Sequence, residues 1–235
     1  MFYNMEQFKR SLMILGKEKL NKLEKSHILI VGVGGVGGYV AEFLARTGVG
    51  SLTLVDQDVV DITNLNRQII ALQSTVGKSK VEVFASRLKD INPNLNLKCE
   101  HTRICSENVE QILTSAKFDY IVDAIDSRED KADLIMMAKQ LNIPIISALG
   151  TGNRKGVPNF EIKDIFSTSD DGLAKVMRKL LRDRKVDSLD VVVSTTKPCE
   201  VEEKFEGERN IGSLVYFPAM SACVITGFVV EKLTN

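Results

Sequence analysis

A chain of 235 residues, 44% of them apolar, is long enough to fill the core of one large α/β domain and too short for several. Its 31 basic and 31 acidic side chains cancel to a formal charge of +0, which excludes whole-molecule attraction to nucleic acid or to an anionic membrane and leaves only a local patch for a polyanion. The start, MFYNMEQFKRSLMILGKEKL, lacks the basic, apolar and small-residue order of a secretory leader. No run reads as the roughly 18 to 20 apolar residues that span a bilayer. The expectation is a cytoplasmic protein with no membrane partner. Cys99, Cys105, Cys199 and Cys223 form no C-x-x-C pair, so neither a structural zinc site nor a disulfide framework is expected.

In chain order, residues 5–24 place Phe8, Leu12, Leu15, Leu20 and Leu23 at the spacing of an amphipathic helix. A strand from Ile28 to Val31 runs into glycines and leaves as a helix that stops at Gly48. LTLVD, ending at Asp56, reads as the second strand, GKSKVEVFASRLKDINP as a helix with its stripe on Val81, Phe84, Ala85 and Leu88, and LNLKCE as the third strand. A helix in SENVEQILTSA, with Ser106 as its cap, precedes strand FDYIVDA, helix EDKADLIMMAKQLN and strand IPIIS.

This alternation predicts an α/β fold: a doubly wound, mainly parallel Rossmann-like sheet with helices on both faces. Residues 1–235 read as a single unit, with a nucleotide-binding core over 1–150 and a substrate-facing extension over 151–235. The extension holds a short strand over 160–163, a basic helix over about 173–185, strand DVVVST, a polar loop over about 195–213 expected to be mobile, and a closing helix started by Pro218.

The segment Gly32-Val33-Gly34-Gly35-Val36-Gly37 stands between strand and helix, where glycines let backbone approach phosphates at a helix N-terminus. Asp56 closes the second strand 24 residues after Gly32, the spacing of an acid that binds ribose hydroxyls. Both features suit an adenine nucleotide and do not choose between NAD and ATP. The following VDQDVVDITNLNRQ groups Asp58, Asn64, Asn66, Arg67 and Gln68, and Lys80 opens the next helix. Arg67 and Lys80 suit the growing charge of a leaving pyrophosphate, whereas a dehydrogenase needs no such pair. Asp123 and Asp126, at the end of the fourth strand, bring carboxylates to the ligand-binding edge and suggest Mg²⁺. Asp58 is left open between binding metal and capping its loop. His27 and His101, at strand starts, read as structural.

GVGGVG, VDQDVV, NLNRQ, GKSK and DAIDS, in this order, resemble the ThiF/HesA/MoeB superfamily, relatives of the ubiquitin-activating enzymes that adenylate carboxylates. The resemblance runs from about residue 8 to residue 150. It implies ATP and Mg²⁺ at a site with Asp56 on the ribose, Asn64 and Arg67 on phosphates, Gln68 supporting the loop, Lys80 on the phosphates of the reacting nucleotide, and Asp126 on the metal. It further implies that Arg10, in QFKRSLMILG, reaches the γ-phosphate at the partner subunit's site, so that the active form is a homodimer.

LARTGVGSLTLVD, NRQIIAL and INPN resemble the branch of the superfamily that uses ATP to activate the threonyl carboxylate of threonylcarbamoyladenosine in tRNA and lets it cyclise. Lys175, Arg178, Lys179 and Arg182 repeat at spacings of three and four, and would be the face that grips tRNA. The other reading within the superfamily is activation of the C-terminal glycine of a ubiquitin-like sulfur carrier; separately, Cys199 lies in the long loop where the resemblance places a sulfur-transferring cysteine in some members.

Overall fold

The computed structural model describes residues 6–169, 171–207 and 210–235, so Met5, where the first helix is expected to begin, lies outside the described residues. Seven strands make one sheet: β1 (His27–Val31), β2 (Ser51–Val55), β3 (Asn96–Glu100), β4 (Tyr120–Asp123), β5 (Ile145–Ala148), β6 (Phe160–Asp164) and β7 (Asp190–Ser194). Their order is β3-β2-β1-β4-β5-β7-β6, and every neighbouring pair is parallel except β6 with β7. The extension therefore lengthens the core's sheet, with β7 inserted between β5 and β6.

Continuous apolar strands such as HILIV are what a sheet covered on both faces requires. One face carries α2 (Gly37–Thr47), α3 (Lys80–Ile91) and α7 (Tyr216–Thr234), with the end of α1 (Lys9–Lys25) against them; Leu23, Leu44, Phe84 and Ile225 meet in that core. The other face carries α4 (Val109–Thr114), α5 (Arg128–Gln140) and α6 (Gly172–Asp183), joined through Leu113, Ile135, Met177 and Leu181.

Three local expectations differ from the structure. The fourth helix starts at Val109 after Asn108, not after Ser106, because residues 105–108 close a turn first: the Asn108 N–H bonds the Cys105 carbonyl at 3.2 Å and Asn108 Oδ1 accepts from the Cys105 N–H at 2.9 Å. α1 is kinked at Gly16, whose φ of 75° only glycine adopts freely. α7 begins two residues before Pro218, at Tyr216, which puts the proline in the first turn where its missing N–H costs no helical bond. With 19 residues, α7 is long and apolar enough to cross a membrane by length and composition, although no run read so from the sequence. Here it buries Phe217, Ala222, Ile225 and Val229 against the sheet and α2.

Candidate active site

β1 and β4 are neighbours whose chain connections leave in opposite directions, so a crevice opens at the carboxyl ends of β1, β2 and β4. A cleft of about 510 Å³ fills it, and Asp56, Asn64, Arg67, Gln68, Lys80 and Asp126 all line its walls, as do Gly32, Gly34 and Gly35. The glycine turn is sterically enforced. At Gly32, with φ 84°, a Cβ would stand 2.8 Å from the Ala124 carbonyl oxygen, and a Cβ on Gly37 would overlap the Gly32 carbonyl. The first N–H groups of α2, just past this turn, have no partners within their own helix.

Asp56 stands one residue past the end of β2, not in the strand as the sequence suggested. Its Oδ2 accepts from the Val33 N–H and its Oδ1 from the Asp58 N–H, both at 2.8 Å, so one carboxylate ties the glycine turn to the loop that follows. That loop is pinned to the start of α3 by a bridge between Val59 and Ser79 and by the Lys80 N–H on the Asp58 carbonyl at 3.0 Å. The Lys80 ammonium meets the Asp58 carboxylate at 2.7 Å; the lysine side chain is 6% exposed and the aspartate 55%. Asp58 thus holds a buried cation at the cleft wall and presents its own charge to water.

The stretch from 61 to 68 is a rigid arch. Asp61 accepts from the N–H and hydroxyl of Thr63 at 2.7 and 2.6 Å, and these bonds, hydroxyl first, hold its carboxyl below the usual range. Asn64, buried, accepts from the Asp61 N–H at 3.1 Å and completes a capping box. Arg67 donates through Nη1 to the Thr63 carbonyl at 2.7 Å and to Asn66 Oδ1 at 3.0 Å. Gln68 is buried, and its Oε1 finds no hydrogen-bond partner among the described residues. A buried amide with unmet capacity on a ligand-sized cleft fits a polar ligand there.

The two carboxylates after β4 are separated by their surroundings. Asp123, fully buried, meets Lys131 Nζ at 2.8 Å and accepts from the Ser147 hydroxyl at 2.5 Å. It is built into the fold. Asp126 is exposed on the cleft wall. Asp123→Asn would leave the Lys131 ammonium, 1% exposed, without a countercharge. The expected loss is about 3 to 5 kcal/mol of stability, seen in calorimetry as a thermal midpoint lower by roughly 6 to 20 °C. An unchanged midpoint would refute the structural role of this pair.

Sequence reasoning missed Arg103 and Asp130, a bidentate pair on the same cleft with Nε and Nη2 donating at 2.9 and 3.0 Å. The available signal was position: TRIC follows β3 at the carboxyl edge, and Asp130 lies in the first turn of α5. His27 opens β1 and bonds Thr53 Oγ1 at 2.9 Å, whereas His101 follows the end of β3 and not the start of a strand, bonding the Gln57 carbonyl at 2.7 Å.

The remaining expected residues lie outside the cleft. Arg10 is exposed on α1. On α6, Lys175, Lys179 and Arg182 are exposed and Arg178 is half-buried. Arg178 donates to the Thr168 carbonyl and hydroxyl at 3.0 and 2.6 Å, Arg182 lies 5.2 Å over the Phe166 ring, and Arg184 pairs with Glu129 and Asp133. The outward charge is therefore concentrated on the two lysines and the edge of Arg182.

A model of the ThiF family matches residues 8–162, spanning the cleft and all five motifs. This chain belongs to the ThiF family. It is 40% identical to the tRNA threonylcarbamoyladenosine dehydratase of Bacillus subtilis (strain 168), over 97% of this chain and 95% of that one. It is 33% identical to the enzyme of the same name from Haemophilus influenzae, over 92% of this chain and 88% of the relative. Its fold superposes with a TM-score of 0.88 on the crystal structure of Escherichia coli tRNA N6-threonylcarbamoyladenosine dehydratase in complex with ATP, at 32% identity, covering 97% of this chain and 94% of the other.

Proposed function

We propose that this ThiF-family chain is an ATP-dependent tRNA threonylcarbamoyladenosine dehydratase. One observation carries the reading: Asp56, Arg67, Lys80 and Asp126 line a single nucleotide-sized cleft in a chain 40% identical, over 97% of its length, to an enzyme of that name.

The chemistry needs no covalent bond to the protein. A threonyl carboxylate oxygen attacks the α-phosphorus of ATP, the bond to the bridging oxygen breaks, and pyrophosphate leaves. The neighbouring carbamoyl oxygen then attacks the activated carbonyl carbon, AMP departs with the bonding pair, and a carbamoyl N–H proton is released. Asp56 accepts from the ribose hydroxyls, the glycine turn receives phosphate oxygens, and Asn64 holds them from the other side. Arg67 and Lys80 neutralise charge as it moves onto pyrophosphate, with positioning supplying much of the rest. Gln68 supports the arch.

Asp126 would hold Mg²⁺, whose positive charge screens the phosphates when bound. An exposed carboxylate on this wall fits that ion, which keeps several waters and binds through one or two carboxylates plus substrate phosphates. The active form in this reading is a cytoplasmic homodimer, with Arg10 serving the partner's cleft.

The test is to incubate the protein with ATP, magnesium and tRNA bearing threonylcarbamoyladenosine and to follow AMP and the digested nucleosides by mass spectrometry. Conversion of the nucleoside to its cyclic form is expected. ATP turnover driven by a ubiquitin-like carrier protein, and not by this tRNA, would redirect the reading to sulfur-carrier activation.

Lys175, Arg178, Lys179 and Arg182 form the face assigned to tRNA phosphates. Arg178 is tied to Thr168, so the test uses the outward cations: reversing Lys175, Lys179 and Arg182 to Glu should weaken tRNA binding and flatten its salt dependence, by about 0.7 to 0.9 in log-log slope for each lost contact, with ATP affinity unchanged. Filter binding across a salt series measures this. A triple variant that binds like the parent reduces α6 to an ordinary solvated face.

A further inference from the structure

Among its contacts with the rest of the molecule, the long loop over 195–213 meets a clip at residues 152–154. Asn153, in the left-handed region at φ 54°, donates its N–H to the Gly212 carbonyl at 2.8 Å and accepts from the Gly212 N–H on its own Oδ1 at 2.7 Å. Its carbonyl accepts from the Cys199 N–H at 2.8 Å. One residue thus grips both ends of the excursion. Gly152 lets the chains close, since a Cβ there would overlap the Ile211 side chain. Next to it, Arg154 is buried, bonds the Thr196 carbonyl and reaches Asp171 Oδ2 at 3.2 Å. Asp171 in turn caps α6 by accepting from the Ala174 N–H at 2.8 Å.

The line continues into the cleft. Ser213, the residue after the clipped glycine, offers its carbonyl to Asn66 Nδ2 at 3.0 Å, and Asn66 Oδ1 accepts from Arg67 Nη1 at 3.0 Å. An Arg side chain carries several rotatable bonds, and fixing its charge where phosphate charge develops is what makes it effective. The Asn66 amide is suited to this: one end is held by the loop and the other holds the guanidinium.

We propose that Asn153 and Asn66 are positioning residues for adenylation, holding Arg67 in place through the clipped 210–213 segment. This rests on the assignment of Arg67 to the phosphates of ATP.

Two substitutions separate the links. Asn153→Gly keeps the left-handed backbone and removes the Oδ1 acceptor; Asn153→Asp restores an acceptor at the same place. Asn66→Asp keeps the acceptor for Arg67 and removes the donor to Ser213. AMP formation on tRNA bearing threonylcarbamoyladenosine should fall about tenfold in kcat for Asn153→Gly and for Asn66→Asp, the scale of one lost hydrogen bond, and recover in Asn153→Asp. The KM for tRNA should stay within about twofold. In an Arg67→Ala background neither substitution should lower the residual rate further, because residues acting through one side chain are not additive.

Losses that persist at full size in the Arg67→Ala background would overturn the positioning role, since a general loosening of the fold adds independently. Parental kcat in a folded Asn153→Gly protein would overturn it as well. A parent protein that fails to bind ATP in calorimetry removes instead the assignment of the cleft on which the proposal stands.

Discussion

Lys80→Ala and Asp126→Ala are each expected to lower AMP formation at least about a hundredfold, the scale of losing one contact made as charge moves in the transition state. Neither change should unfold the protein. Lys80 leaves behind Asp58, whose side chain is 55% exposed and is taken up by water, and Asp126 is itself exposed. The loss should fall on kcat, because the charge being neutralised grows during the reaction. Circular dichroism and a thermal melt check the fold, and initial rates at saturating ATP check the chemistry. A folded Asp126→Ala protein with near-parental rates would remove that residue from the site.

Mixing two inactive variants should restore activity. Arg10 is exposed on α1 and does not line the cleft of its own chain, so under the proposed shared site its part in the chemistry is at another chain's cleft. In a two-fold dimer, Arg10→Ala paired with Lys80→Ala leaves one complete site, built from the first chain's cleft and the second chain's arginine. Random exchange makes half of the dimers mixed, each with one of two sites intact, so roughly a quarter of parental activity is expected. Each variant alone should be nearly inactive. Light scattering under assay conditions should show a dimer. A monomer that turns over ATP would end the shared-site reading, and so would a mixture that stays inactive after demonstrated subunit exchange.

The amino-acid sequence alone determined the parts whose physics is local. Alternating strands and helices up to residue 150 follow from hydrophobic period, and they fold as expected, from His27–Val31 to Ile145–Ala148. The glycine turn was legible because close backbone approach at Gly32 and Gly37 admits no side chain. Asp56, Arg67, Lys80 and Asp126 were readable as candidates from residue type and their place after strands, and one cleft brings them together.

Tertiary structure decided everything that depends on which distant residues meet. Asp123 and Asp126 lie three positions apart and look equivalent in sequence; only the arrival of Lys131 and Ser147 turns the first into a buried structural charge. Asp58, undecided by its neighbours in sequence, meets the ammonium of Lys80, 22 residues away. The pairing of Arg103 with Asp130 crosses 27 residues. The order β5-β7-β6 departs from chain order, and a polar loop is clipped by Asn153 at Cys199 and Gly212. Periodicity and turn chemistry report the conformation of a few consecutive residues. Ion pairs and sheet neighbours are set by chain closure over tens of residues, which leaves no mark in the local pattern.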